Sequence, residues 1–295
     1  MNSINASSLF HFTRKFGTLK QILKNGLRYS YSVEYRPENF NENTYNKYSE
    51  TSLILPMVCF CDIPLNRTFI HQKKYGHYCI GFNKQSLMDK LKGTLNPVSY
   101  YISDRAIKSL VSLYDYAENR MDFGVEQLKE NPIDAFDKNN TFMQGCNLLE
   151  DLKYLLAYFK PCYNIDEKGN IANYIDEREW RAILKENRTN GCSWNLKCSN
   201  KLFDDNGNKK RISYEVARMN NNDINDNPYF FIKFSEEELI SSLNYIILPN
   251  EDKVNKCINY ILKSRELFGI KNMSKDLKLN IISKVSSFER IEKDF

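Results

Sequence analysis

Hydrophobic and polar positions change their repeat several times along this 295-residue chain, and each change marks an element. Over residues 8–14 side chains alternate with a period of two, Phe10 and Phe12 pointing one way and His11 and Thr13 the other, which predicts a short strand. Thr18-x-x-Gln21 reads as a capping box, and Leu19, Ile22 and Leu23 form the apolar face of a helix that stops at Gly26. Residues 29–51 are polar and aperiodic, which predicts a long loop of the kind that serves as a binding loop or lid. Residues 53–63 are β-branched and apolar and predict a buried strand. A helical stretch over 66–74, a strand over 78–82, a helix over 85–91 and a strand over 97–101 follow.

The middle of the chain switches to the helical period. Ile107, Leu110, Val111 and Tyr114 recur at i, i+3, i+4 and i+7, and Leu148, Leu149, Leu152, Leu155, Leu156 and Phe159 repeat the pattern until Pro161. Residues 118–141, between these two groups, are polar and weakly patterned. Strand patterns return over 175–184, 212–217, 229–234 and 245–248. Ser235-x-x-Glu238 opens a short helix, and Val254, Cys257, Ile258, Ile261 and Leu262 outline a longer amphipathic one. Leu277, Leu279 and Ile281 alternate as a final strand. The expectation is one α+β domain over residues 1–295, with a split, mostly antiparallel sheet and a helical insertion at about 102–162.

Composition narrows the class. Hydrophobic residues make up 42 % and aromatics 13 %, so the chain can bury a real core and is not disordered. A net charge of +5, from 42 basic and 37 acidic residues, gives only weak support for a nucleic-acid target. The densest basic run, Lys209-Lys210-Arg211, follows the turn-like Asp205-Asn206-Gly207-Asn208 and reads as a solvated loop. None of the eight cysteines forms a C-x-x-C pair and three histidines accompany them, so no metal is expected. Cys59 and Cys61 read as core thiols. The first eight residues lack a signal-peptide pattern and no apolar run is long enough to span a bilayer, which predicts a cytoplasmic protein without membrane contact.

The candidate chemistry lies in two distant fragments. In a strand, Glu177 and Glu179 would share one face, followed there by Arg181, and a half-buried carboxylate pair needs partners or a purpose. His11 and Thr13 share a face of the first strand, and an imidazole that both donates and accepts suits a ribose hydroxyl. Phosphate loops of the G-x-G-x-x-G or G-x-x-x-x-G-K-[ST] kind are absent, which excludes Rossmann and P-loop chemistry.

With these residues the chain resembles the AbiGi-type abortive infection proteins of bacterial phage defence. The likeness runs through Phe10-His11-Phe12-Thr13, Asn25-Gly26-Leu27, Val58-Cys59-Phe60-Cys61-Asp62-Ile63-Pro64, Tyr75-Gly76-His77-Tyr78-x-Ile80-Gly81-Phe82, Pro97-Val98-x-Tyr100 and Glu177-x-Glu179-Trp180-Arg181. That resemblance implies an antitoxin-like partner in a two-gene system, bound to a neighbouring toxin or a phage-derived protein. More distantly, the order of a His-x-Thr strand, a helix ending in Gly-Leu and a late Glu-bearing strand resembles the ADP-ribosyltransferase fold of the DNA-targeting toxins. This second resemblance implies NAD as substrate and ADP-ribose transfer to a macromolecule. His11, Thr13 and, on a middle strand, Tyr78 would bind NAD. Glu179 would be the catalytic carboxylate, with Glu177 orienting or activating the acceptor. One shared cleft would then hold His11 and Glu179, walled by Phe60, Tyr78 and Trp180 and covered by the 29–51 loop.

Overall fold

The structure, a computed structural model, describes residues 7–37, 50–102, 104–130, 141–165, 171–185, 195–198 and 227–294. It opens with β1 (Ser8–Thr13) and α1 (Phe16–Asn25), which buries Leu19, Ile22 and Leu23 and ends at Gly26. With φ at 92° and the Ile232 carbonyl where a Cβ would sit, only glycine fits there. The helix is capped at Lys15 with no side-chain bond, three residues before the expected Thr18, so that capping box does not form. Three strands follow: β2 (Leu27–Arg28), β3 (Ser30–Pro37) and β4 (Glu50–Cys61). The loop expected over 29–51 is corrected here. Residues 30–37 form a strand paired along its whole length with β4, and residues 38–49 lie outside the described set.

A 3-10 turn (Leu65–Arg67) leads into α2 (Thr68–Tyr75), β5 (Tyr78–Asn83) and α3 (Lys84–Lys90). The strand expected over 97–101 is two short ones, β6 (Leu95–Pro97) and β7 (Ser99–Tyr101), which pair in different sheets. Two long helices come next, α4 (Asp104–Glu130) and α5 (Thr141–Leu156), then β8 (Phe159–Pro161), β9 (Tyr163–Ile165) and β10 (Ile171–Asn173). Parallel pairing of β7 with β8 brackets the two helices. They meet backbone to backbone, since a Cβ on Gly124 would enter Phe142 and one on Gly145 would enter Met121.

Residues Ile175–Glu177 make a 3-10 turn ahead of β11 (Glu179–Ile183), which is followed by β12 (Asn195–Cys198). Another 3-10 turn (Pro228–Phe230) precedes β13 (Phe231–Ile232), α6 (Glu236–Ser242), β14 (Leu243–Leu248) and α7 (Glu251–Lys263). The chain closes with β15 (Glu266–Leu267), β16 (Ile270–Lys271), α8 (Lys275–Ile282), β17 (Val285–Ser287) and α9 (Phe288–Asp294). Residues 277–281, read as a strand, are α8. Leu277 and Ile281 are buried one turn apart while Leu279 is exposed, and Ser274 caps the helix by accepting from the Leu277 N–H. The strand expected over 212–217 and the basic run at 209–211 lie outside the described residues.

The protein is thus mixed α+β around a mostly antiparallel sheet ordered β17-β14-β5-β1-β4-β11-β6, in which, among the described residues, only β14 and β17 run parallel. Strand β4 serves two groups of partners. Residues 50–57 of its first stretch pair with β3 and residues 51–54 also with β12, whereas its end carries β11 over 57–61 and β1 at Cys61. One face of the sheet buries Leu9, Phe60, Ile80 and Phe82 against Leu19 and Leu23 of α1. The other holds a smaller cluster of Phe10, Cys61, Ile63, Cys79, Ile247 and Phe288. No described helix is long and apolar enough to cross a membrane.

Candidate functional site

Cross-strand partners project to the same side of a sheet, and neighbours along a strand to opposite sides. The ladders pair Phe10 with Cys61 and Cys61 with Glu179, so these three share one face. His11 is one residue along and pairs with Ile80, and Thr13 pairs with Tyr78. His11, Thr13 and Tyr78 are therefore together on the opposite face. That placement agrees with their contacts. The His11 ring stands edge-on to Phe60 at 6.0 Å with Nδ1 2.9 Å from the Cys59 carbonyl, and Tyr78 stacks on Phe16 of α1 at 5.8 Å. Burial, only partly offset by that carbonyl, pulls the His11 pKa down and favours the neutral ring.

The single cleft expected to contain both His11 and Glu179 is not what the structure forms. A sheet lies between them, because an odd residue of β1 and an odd residue of β11 are out of phase across β4. Phe60, Tyr78 and Trp180, expected as cleft walls, are on the His11 side. Trp180 there packs under the Lys84 ammonium at 4.6 Å, which in turn reaches Asp62 at 2.6 Å.

On the other face Glu177 and Glu179 do come together, by a route the sequence did not suggest. Glu177 is in the 3-10 turn, Arg178 takes a left-handed conformation (φ 43°), and β11 begins only at Glu179. The turn swings both carboxylates onto one cation: Lys160 Nζ of β8 lies 2.7 Å from Glu177 Oε2 and 2.8 Å from Glu179 Oε2. Arg181, fully buried, donates from Nε to Glu179 Oε1 at 2.8 Å and from its terminal nitrogen to the Ala157 carbonyl at 2.6 Å. Lys74 of α2 pairs with Glu177 Oε1, and the Tyr75 hydroxyl donates to the same carboxylate. Tyr174 offers its ring to both lysines, with the ammoniums of Lys160 and Lys74 at 4.4 and 5.0 Å. The Tyr100 hydroxyl accepts from the Glu179 main-chain N–H at 3.0 Å.

Two buried carboxylates thus face three cations, and each of the four carboxylate oxygens has a partner. Burial alone would raise the Glu179 pKa. Arg181 and then Lys160 outweigh it and hold the carboxyl well below its usual range. The same burial, with the carboxylates nearby, pushes the Cys61 thiol and the Tyr75 hydroxyl far up, and raises Tyr100 to about 12. His71 of α2 stacks on Phe12 at 5.9 Å and hydrogen-bonds the Glu177 main chain. Burial lowers its pKa and leaves its Nδ1 without a hydrogen-bond partner. Chemically, the arrangement keeps Glu179 ionised and ties α2, the 3-10 turn, β8, β11 and the end of α5 to one point.

Lys74, Lys160 and Tyr174 carry no motif, and Tyr75 and Tyr100 stand in stretches that carried the family resemblance without being assigned a role, so sequence reasoning missed all five as parts of the site. The only advance signal was the period-two placement of Arg181 after Glu179. Residues 30–239 match the family model described as "Putative abortive phage resistance protein AbiGi, antitoxin". No curated protein and no solved structure matches the chain. The matched span takes in α4, α5 and the whole charge cluster but not His11 or Thr13 of β1, and on that span the chain belongs to the AbiGi family of abortive phage resistance proteins.

Proposed function

We propose that this protein is the antitoxin of an abortive-infection pair and restrains its toxin by direct protein–protein contact, with the Glu177/Glu179 cluster serving as the internal clamp of the scaffold. One observation carries this reading beyond the family: the two carboxylates are saturated by Lys74, Lys160 and Arg181 on the face opposite His11. A catalytic carboxylate has to meet substrate, and here that position is filled by the protein's own cations.

The rival reading is an enzyme on an ADP-ribosyltransferase-like scaffold that uses NAD. What favours it is the ionised Glu179 beside a second carboxylate and the Tyr75 and Tyr100 hydroxyls. It would have to work without His11, Thr13 or Tyr78 in the same cleft.

The experiment pairs wild type and Glu179→Gln, each with the toxin encoded beside it, and reads growth together with release of nicotinamide from labelled NAD by the purified chain. An antitoxin clamp predicts growth rescue by both folded proteins and no nicotinamide above the blank. Nicotinamide release by wild type that Glu179→Gln abolishes, with the circular dichroism unchanged, would establish the enzyme instead.

A further inference from the structure

The exposed side of α4 is unlike the rest of the surface. Leu113, Tyr116 and Phe123 are 47, 52 and 60 % exposed, and their spacing of three and seven residues puts them in one stripe along the helix. The adjoining side of the same helix packs on α5 through Tyr114, Ala117 and Gly124. Arg120, in the stripe between Tyr116 and Phe123, is fixed from both sides. It donates to the Tyr116 hydroxyl at 3.1 Å and to Gln144 Oε1 of α5 at 2.8 Å, and its guanidinium lies 5.9 Å from the Tyr116 ring. Toward the start of the helix the stripe continues as an open groove of about 760 Å³ lined by Arg105, Ser109, Ser112 and Leu113.

Charge then says what kind of surface would cover it. Asp115, Glu118, Asp122 and Glu126 form a second exposed row, about a third of the way round the helix from the stripe. Residues 104–156 hold ten acidic and six basic side chains in a chain whose total is +5, so the hairpin is acidic on a basic body. Tyrosine, arginine and phenylalanine are enriched at interface cores, and here Tyr116 and Arg120 are already held to each other before binding.

We propose that this side of α4 is the surface on which the toxin docks, through an apolar patch of its own rimmed by lysine and arginine. The inference rests on the antitoxin reading above and adds to it the docking surface and the partner's chemistry.

The test uses the full-length chain and the purified toxin encoded beside it, titrated by calorimetry at two salt concentrations. Phe123→Ala and Tyr116→Ala should each weaken binding at least tenfold. Glu118→Lys with Asp122→Lys should weaken it at low salt and flatten the salt dependence. All these side chains are exposed, so circular dichroism and Tm should stay at wild-type values. Unchanged affinity in every variant would overturn the surface while leaving the antitoxin reading intact. No binding by wild type would overturn both. Self-association of the wild-type chain that Phe123→Ala dissolves, seen by sedimentation without toxin, would reassign the stripe to a second copy and also overturn the proposal.

Discussion

Lys160 Nζ lies 2.8 Å from Glu179 Oε2, and the two residues belong to strands that do not pair with each other. Among the described residues β8 pairs only with β7, while β11 pairs with β4 and β6 in the main sheet. The ion pair is therefore a side-chain bolt between the ladder that brackets the helical hairpin and the sheet that carries the core. Removing its cation leaves two buried carboxylates short of a partner, and breaking a buried pair from one side costs more than the pair contributes.

Lys160→Met should accordingly destabilise the protein by about 3 kcal/mol, read as a lower urea midpoint at unchanged m-value. Lys160→Met combined with Glu179→Gln should cost less than the two single changes added together, by roughly 1 kcal/mol or more, because the residues act as a unit. Strict additivity would show that the two side chains are not coupled.

Acid should act through Glu179. Its folded pKa is depressed relative to the unfolded chain, so the stability it contributes is fully present above the unfolded carboxylate value, roughly 4.3. That contribution is lost as pH falls from there toward about 2, the folded value. Unfolding free energy measured from pH 7 to pH 2 should fall more steeply below pH 4.5 in wild type than in Glu179→Gln. Parallel curves would contradict the assignment.

The thiols offer a solvent-independent check of the same face. Burial, then the nearby carboxylate of Glu179, keeps Cys61 protonated at neutral pH, and burial does so for Cys79. Iodoacetamide at pH 7.5 should leave both unmodified in the folded protein and label them once it is unfolded, as peptide mass mapping would record. Rapid native labelling of Cys61 would mean that this face is open.

Gly145→Ala tests the hairpin. In an exposed helix this change would stabilise by about 1 kcal/mol through propensity. Here the added methyl would press on the Met121 backbone of α4, and overpacking against a rigid neighbour costs roughly 1–3 kcal/mol. The net expectation is a lower Tm by a few degrees, with the larger loss in toxin affinity, since the stripe on α4 is held by its contact with α5. A higher Tm would refute the close crossing.

What could be read in the sequence was local. The Ser235/Glu238 capping box forms as written, both halves of it, because serine and glutamate three apart satisfy each other's backbone donors without outside help. The apolar face of α7 and the parts of the two long helices around 107–114 and 148–156 follow from period, whereas α4 beyond residue 118 and the start of α5 lie in the stretch that reads as weakly patterned, and Phe159 belongs to β8 and not to the helix. Strand β3 was illegible because its polar residues are held by pairing with β4, a tertiary cause that leaves no periodic trace. The Leu277/Leu279/Ile281 alternation misled because positions i and i+4 of a helix also fall on every second odd number, and the capping Ser274 was the discriminating signal. For the site, the Glu177/Glu179 pairing was legible but its cause was not. A left-handed Arg178 and a lysine from a distant strand produce it. The relation of His11 to Glu179 depended on the register of two ladders, where one residue of offset exchanges the faces.

The pairing of β4 and β5 with strands far along the chain has a kinetic side. Cys61 waits for Glu179, and Ile80 waits for Ile246, before either ladder is complete. Closing such spans costs loop entropy before any contact repays it, and sheets of this kind fold slowly and expose open edges meanwhile. The α4–α5 hairpin, by contrast, joins neighbours in sequence and can form as soon as residue 156 is made. A growing chain would therefore carry a finished helical arm on an unfinished platform until the strand at 243–248 has left the ribosome. Timing of synthesis, as much as affinity, would then set when this protein first becomes able to act.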